Sequence, residues 1–295
     1  MATTIEAIVA GTTYSLTDED PLWVEGVNPG MAPGHLLESR GAEQHGSTVE
    51  GFRLDPRNLE LIIGFQGTDT ELYTARALLL RIFQRRADPV LLRFTFDDGS
   101  VRQIDCHLAN GLQFARDGSD TDHMRCAAVL RCGDPSFYDP TAVALTFTLG
   151  GGSGSFAVPL TVPVAVGAST IDASLAVEYD GTWESAPHLI RVTGPITEFV
   201  LTNETTGDSI QARAGVTIAA GHYVDIDTRY GSASALYDGA TNWIANLDDA
   251  DDLTVFRLAE DPDAPGGINV LNVTGSGVTS ASQVDVGYYT RYLGF

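Results

Sequence analysis

Short runs in which apolar and polar residues alternate, punctuated by 31 glycines, fill most of this chain. A period of two places successive side chains on opposite faces of an extended strand, so the pattern commits the chain to β-structure. Ile5, Ala7 and Val9 share one phase in residues 3–16. Strands are likewise read at 59–65, 91–96, 101–108, 112–116 and 124–132, then at 141–149, 156–166, 174–179, 189–193, 196–202, 209–212, 215–218, 223–227, 234–237, 252–258, 267–274 and 283–291. The fold class expected is mainly β, with a β-sandwich or split barrel carrying one α-helix in the first half. Roughly eight to ten short strands in the second half match a two-sheet jelly roll.

The single helix is read over residues 68–86. Thr68 followed by Glu71 is a capping-box pair, in which each side chain satisfies the other residue's backbone N–H. Leu72, Ala75, Leu79 and Phe83 form an apolar stripe. Arg81, Arg85 and Arg86 suit the C-terminal end of the dipole, and Pro89 closes the segment. Asp98-Gly99 between alternating runs predicts a hairpin with a type I′ turn. Residues 17–51, rich in Gly, Pro and acidic side chains, read as a long functional loop or arm. Pro135 and Pro140 bracket a break, which puts a domain boundary between residues 1–140 and 141–295. Gly150-Gly151-Gly152-Ser153-Gly154-Ser155 reads as a hairpin loop or an interdomain linker.

Charge narrows the function. The 295 residues hold 39 acidic and 17 basic side chains, a net −22, and every basic residue is arginine. This disfavours nucleic acid or an anionic membrane as the main partner, since both need basic patches. With 43% hydrophobic residues the composition is globular rather than disordered. Met1-Ala2-Thr3-Thr4-Ile5-Glu6 has neither a basic nor a long apolar region, so no signal peptide is expected, and no stretch has the apolar length of a membrane span. Three cysteines without a CxxC indicate neither a disulfide framework nor a zinc site; Cys106, Cys126 and Cys132 lie in phase with apolar strand neighbours and read as reduced core thiols.

No catalytic constellation emerges, and the chain reads as a non-enzyme without a cofactor or metal. The absence of lysine excludes Schiff-base and P-loop chemistry, and there is no Gly-x-Ser-x-Gly. His35 and His45, near Glu38, Glu43 and Ser47, read as loop or interface residues. Asp225 with Asp227, and Asp248-Asp249 with Asp251-Asp252, read as solvated charge, with an oxygen-ligand cation site as the lesser reading. Trp183, Tyr223, Tyr230, Tyr237, Trp243, Tyr288, Tyr289 and Tyr292 serve either a sugar-binding face or ordinary packing.

Taken together, several motifs resemble siphovirus distal tail proteins. In the first half these are Arg40-Gly41-Ala42-Glu43-Gln44-His45-Gly46, the helix, Asp97-Asp98-Gly99-Ser100-Val101-Arg102 and Gly133-Asp134-Pro135-Ser136-Phe137-Tyr138-Asp139. The second half is similar to that family's galectin-like β-sandwich, through Pro187-His188-Leu189-Ile190-Arg191-Val192-Thr193-Gly194-Pro195-Ile196, Asn203-Glu204-Thr205-Thr206-Gly207, Gly221-His222-Tyr223-Val224-Asp225-Ile226-Asp227-Thr228 and Pro265-Gly266-Gly267-Ile268-Asn269. Asp261-Pro262-Asp263-Ala264 departs from the family's compact turn.

The resemblance implies a structural virion protein: a homo-hexameric ring at the distal end of a long non-contractile tail. Such a ring joins the tail tube protein to the tail-tip hub protein, neighbours the tape-measure protein and docks receptor-binding proteins, while DNA passes through its lumen. The arm, with Arg40, Gln44 and His45, is the expected contact between subunits. The alternative is a host-binding adhesin or lectin whose second domain grips glycans through Trp183 and Trp243. Residues 1–140 balance 21 acidic against 12 basic side chains and residues 141–295 balance 18 against 5, so arginine gathers in the half that the resemblance makes the ring-former. A lysine-free acidic surface fits a haloarchaeal virus, with a virus of a high-GC bacterium as the plainer reading.

Overall fold

The computed structural model describes residues 2–17, 22–27, 30–84, 87–116, 122–149, 170–248, 252–260 and 267–294. The expected Gly150–Ser155 loop and 156–166 strand, Arg85 and Arg86, Asp249 and Asp251, and the Asp261–Pro265 stretch lie outside these residues. The chain forms two compact units, residues 1–140 with 292–295, and residues 141–291. The last four residues thus join the first unit rather than the second. Tyr292 donates its hydroxyl proton to Asp139 (3.1 Å) and lies under the Arg102 guanidinium (3.5 Å), while Arg57 donates to the Leu293 carbonyl.

The first unit begins with β1 (Ala2–Val9), β2 (Thr12–Ser15), β3 (Leu22–Val27), β4 (Gly34–Ser39), β5 (Thr48–Leu54) and β6 (Arg57–Gln66). It continues through α1 (Asp69–Ile82), β7 (Val90–Phe96), β8 (Val101–Leu108), β9 (Gln113–Arg116), β10 (His123–Cys132) and β11 (Phe137–Tyr138). An antiparallel sheet runs in the order β2-β1-β7-β8-β10-β6-β3, with β9 on β10 and β11 on β8. Alternate residues of β6 (Leu59, Leu61, Ile63, Phe65) and of β10 (Cys126, Ala128, Leu130) face one core, which also takes Ile5, Ala7 and Val9. The apolar stripe of α1, Leu72, Ala75, Leu79 and Ile82, covers it. At the start of the helix the Glu71 carboxylate accepts both the Thr68 N–H (2.7 Å) and its hydroxyl (2.9 Å).

Two expectations change here. Residues 22–27 of the long arm are a sheet strand paired with β6, and β4 with β5 is a two-stranded hairpin, so the segment is built rather than irregular. The Asp98-Gly99 turn is not type I′. Positive φ falls on Gly99 (83°) and not on Asp98, whose carboxylate instead accepts Ser100 N–H (2.9 Å) and its hydroxyl (2.7 Å). Phe96 C=O accepts Gly99 N–H (2.9 Å), giving the three-residue loop with a glycine bulge that local Asp bonding favours.

The second unit is a β-sandwich. One sheet orders β12 (Val143–Thr148), β22 (Gln283–Tyr288), β14 (Leu189–Thr193), β18 (Tyr223–Asp227), β19 (Ser234–Tyr237) and β20 (Thr241–Asn242). The other orders β13 (Thr170–Tyr179), β21 (Gly267–Ser276), β15 (Ile196–Asn203) and β16 (Ser209–Gln211), with β17 (Thr217–Ile218) also on β15. Inward residues of both, among them Ile190, Val224, Val286, Phe199, Leu201 and Leu271, share one core. The strand expected at 252–258 is a turn segment. Asp252 accepts Thr254 N–H (2.9 Å) and its hydroxyl (2.7 Å), and this local bonding outcompetes a ladder. Leu253, Phe256 and Leu258 are buried all the same.

Candidate assembly surface

The hairpin β4–β5 is held together locally and contributes no residue to the core of its unit. Its base is closed by Asp55 N–H donating to Pro33 C=O (2.8 Å). Gly34 leaves room there for the Phe52 ring that lies over it, which a Cβ would meet at 2.3 Å. The tip is organised by Gln44. Its Oε1 accepts Gly41 N–H (3.0 Å), its Nε2 donates to Thr48 Oγ1 (2.8 Å), and its carbonyl accepts Arg40 Nε–H (3.1 Å). Ser47 donates to Glu38 (2.8 Å), and His35 sits opposite Arg53. Of the expected arm residues, Arg40 and Gln44 therefore shape the turn, and His45 is exposed beside them.

The side chains that sequence reasoning passed over are the apolar ones. Leu36 pairs with Phe52 and Glu38 with Val49 across the two strands, which puts Leu36, Val49 and Phe52 on one face. They are 52%, 57% and 49% exposed, with Met31 at 71% near the base. A lone two-stranded sheet is marginal in water. Burying a Leu, Val or Phe side chain fully is worth about 1.5–3 kcal/mol, so this face gains substantially from a cover. The available signal was paired apolar positions flanking a Gly-containing turn.

The body of the unit offers two further features. On the outer side of α1, Tyr73 and Leu80 are exposed at a spacing of seven, hence on one helix face. On the outer face of the sheet the Trp23 indole crosses Gly64 and stacks on His123 at 5.4 Å. Glu25 joins this group, 2.7 Å from Arg125 and 3.3 Å from His123.

In the second unit Trp243 is 6% exposed and stacked on Phe199 (6.1 Å), so its ring belongs to the core. Trp183 is half-buried, and its carbonyl accepts the Tyr179 hydroxyl (2.5 Å). Asp225 receives a bidentate pair of bonds from Arg191 (2.6 and 2.8 Å), and these raise the Arg191 pKa. The same guanidinium lies 4.2 Å above the Tyr223 ring. Asp227 is bound by Arg229 (2.7 Å). Arginines thus occupy Asp225 and Asp227, two of the carboxylates weighed as cation ligands, and among the described residues no group of three potential ligands converges.

These features define a β-rich protein of two units, the first carrying a half-apolar hairpin outside its core and the second a β-sandwich. Its fold is that of a phage hub protein. The structure described as SPP1 Dit (gp 19.1), "a paradigm of hub adsorption apparatus in Gram-positive infecting phages", matches with a TM-score of 0.64 at 16% identity, over 97% of this chain and 98% of that one. The phage P2 baseplate in its activated conformation with Ca matches at 0.46 and 9% identity, over 97% and 98%, and the form with Sr at 0.46 and 9%, over 96% and 97%. No protein-family model and no curated protein matches.

Proposed function

We propose that this chain is a structural protein of a long non-contractile viral tail. It forms a hexameric ring at the distal end, joins the tail tube to the tip hub, and offers a platform for receptor-binding proteins. The fold shared with the SPP1 hub protein over 97% of the chain carries the reading. The first unit is the ring-former in this proposal. The second, a galectin-like sandwich, faces outward, and DNA crosses the lumen without specific binding.

The hairpin supplies the physical route. A ring needs a heterologous contact, with one patch on a subunit and a different patch on the next. The apolar face of Leu36, Val49 and Phe52 is the first patch, presented clear of its own core. The second patch belongs to the neighbour's body. Arginine, concentrated in this half, suits desolvated contacts between copies better than lysine does. Glycan binding by the second unit stays the competing idea, and it no longer has Trp243 to offer, since that ring is buried.

Because Pro33 and Asp55 already bond at the hairpin base, residues 34–54 are replaceable by a short glycine linker without cutting a core strand. The shortened chain is expected to keep its circular dichroism and melting cooperativity and to lose the ring in negative-stain images. A shortened chain that still forms hexamers overturns the hairpin contact. Saturable binding of residue 141–291 surfaces to a glycan array, abolished by Trp183→Ala, favours the adhesin.

A further inference from the structure

Two of the three cysteines meet inside the first unit. Cys106 on β8 and Cys132 on β10 are fully buried, with their sulfurs 3.0 Å apart. The register puts them there. Leu108 stands opposite Leu130 and His107 opposite Arg131, so the next step along both strands sets Cys106 against Cys132. Opposed residues on antiparallel strands have Cα atoms about 4.5 or 5.5 Å apart, inside the roughly 4.4–6.8 Å that a disulfide spans. Cys126 is excluded by distance: it lies six residues away along β10, roughly 20 Å, and faces Ile63 and Phe114.

A buried cation stands beside the pair. Arg57 on β6 is the registered partner of Cys132, is 3% exposed, and stacks its guanidinium 4.5 Å from the Phe137 ring centre. A cation beside a thiol favours the thiolate, the form that attacks a disulfide. Desolvation works against it, and burial is the first cause that holds the Cys106 thiol well above the ordinary range. Exchange in the folded chain is therefore slow, and reduction of a closed bond in the same place is slow for the same reason.

We infer that Cys106 and Cys132 are a redox pair that closes to a cross-strand disulfide in the presence of a low-molecular-weight disulfide such as oxidised glutathione, stapling β8 to β10 beside Arg57. One cysteine thiolate attacks a glutathione sulfur and expels glutathione thiolate. The second thiolate then attacks the mixed disulfide on the protein sulfur and expels the other. Two protein thiols are oxidised, one glutathione disulfide is reduced to two thiols, and the two protons leave with the glutathione. The bond closes a loop across 26 positions and so restricts the unfolded chain.

The test takes the full-length reduced protein, incubates it natively with oxidised glutathione, and in parallel refolds it from denaturant in a glutathione redox buffer. Both samples are alkylated under denaturing conditions and mapped by mass spectrometry. The expected result, complete after refolding and reached more slowly in the native sample, is one alkylated cysteine, Cys126, in place of three, with a single cross-linked peptide joining 106 to 132 and a raised melting midpoint. Cys126→Ser keeps the cross-link, and Cys106→Ser removes both it and the rise. Three alkylated cysteines by both routes, pairing through Cys126, or stable glutathione adducts overturn the inference. The thiol count is read on the denatured chain, so it stands or falls independently of the tail assembly.

Discussion

Leu36 and Phe52 stand opposite one another across the β4–β5 hairpin, about half exposed, with the Phe52 ring laid over Gly34. A cross-strand apolar pair normally packs against a core; here neither residue belongs to one. Replacing both by serine is expected to leave folding stability within about 0.5 kcal/mol, as for exposed substitutions generally, and to lower the assembled fraction. Light scattering on matched concentrations checks the second effect, and urea denaturation checks the first.

Gly64→Ala tests the outer face of the sheet. A Cβ at that position would stand 2.5 Å from the Trp23 ring and 2.7 Å from Glu25 Oε1, so the indole must leave its stack on His123. The expected cost is about 1–3 kcal/mol, in line with other overpacking changes. Denaturant melts read the stability, and tryptophan fluorescence reads the displaced ring.

Trp243→Ala is expected to destabilise the second unit by about 3–5 kcal/mol, because it empties a core site against Phe199. Trp183→Ala, at a half-buried position, is expected to cost far less. Calorimetry on the two variants separates a core residue from a surface one before any glycan assay is interpreted.

Acid is expected to weaken the fold. Glu71 is held below its ordinary value by Thr68 N–H, Asp98 by the Ser100 hydroxyl, Asp252 by the Thr254 hydroxyl, and Asp238 by its bond with His222. A carboxylate with a depressed folded pKa contributes stability above its unfolded value and loses it as pH falls through the folded one. The decline therefore begins below about pH 4.5. Glu184, raised by burial, opposes the trend, since its protonation relieves a desolvated charge. Melting midpoints across this range check the sign, and Asp98→Asn is expected to flatten the acid limb.

Much of this architecture is legible in the residues themselves. The Thr68–Glu71 pair marks the helix start because capping is local chemistry, and Ile5, Ala7 and Val9 mark a strand because they share one buried face. The hairpin at 34–54 is harder to read, because a strand pair with no core side shows no apolar-in, polar-out contrast. The turn at Asp252 is harder for another reason: its side-chain bonds to Thr254 override an apolar run that looks extended. Arg40 and Gln44 read in the sequence as contacts between subunits, whereas their part in shaping the turn depends on bonds that only the folded hairpin makes. The return of Tyr292 to the first unit has no local signature, since it is fixed by Asp139 and Arg102, both far away in sequence.

The proposed ring is a property of the full chain in solution. Mass and symmetry of the full chain in solution, by light scattering and single-particle imaging at high protein concentration and across salt concentrations, test it most directly. Six-fold rings are expected, and they disappear when residues 34–54 are replaced. Dissociation of those rings at low salt is the expected signature of a salt-adapted acidic surface, and indifference to salt that of the plainer host. A monodisperse monomer at high concentration and high salt contradicts the ring.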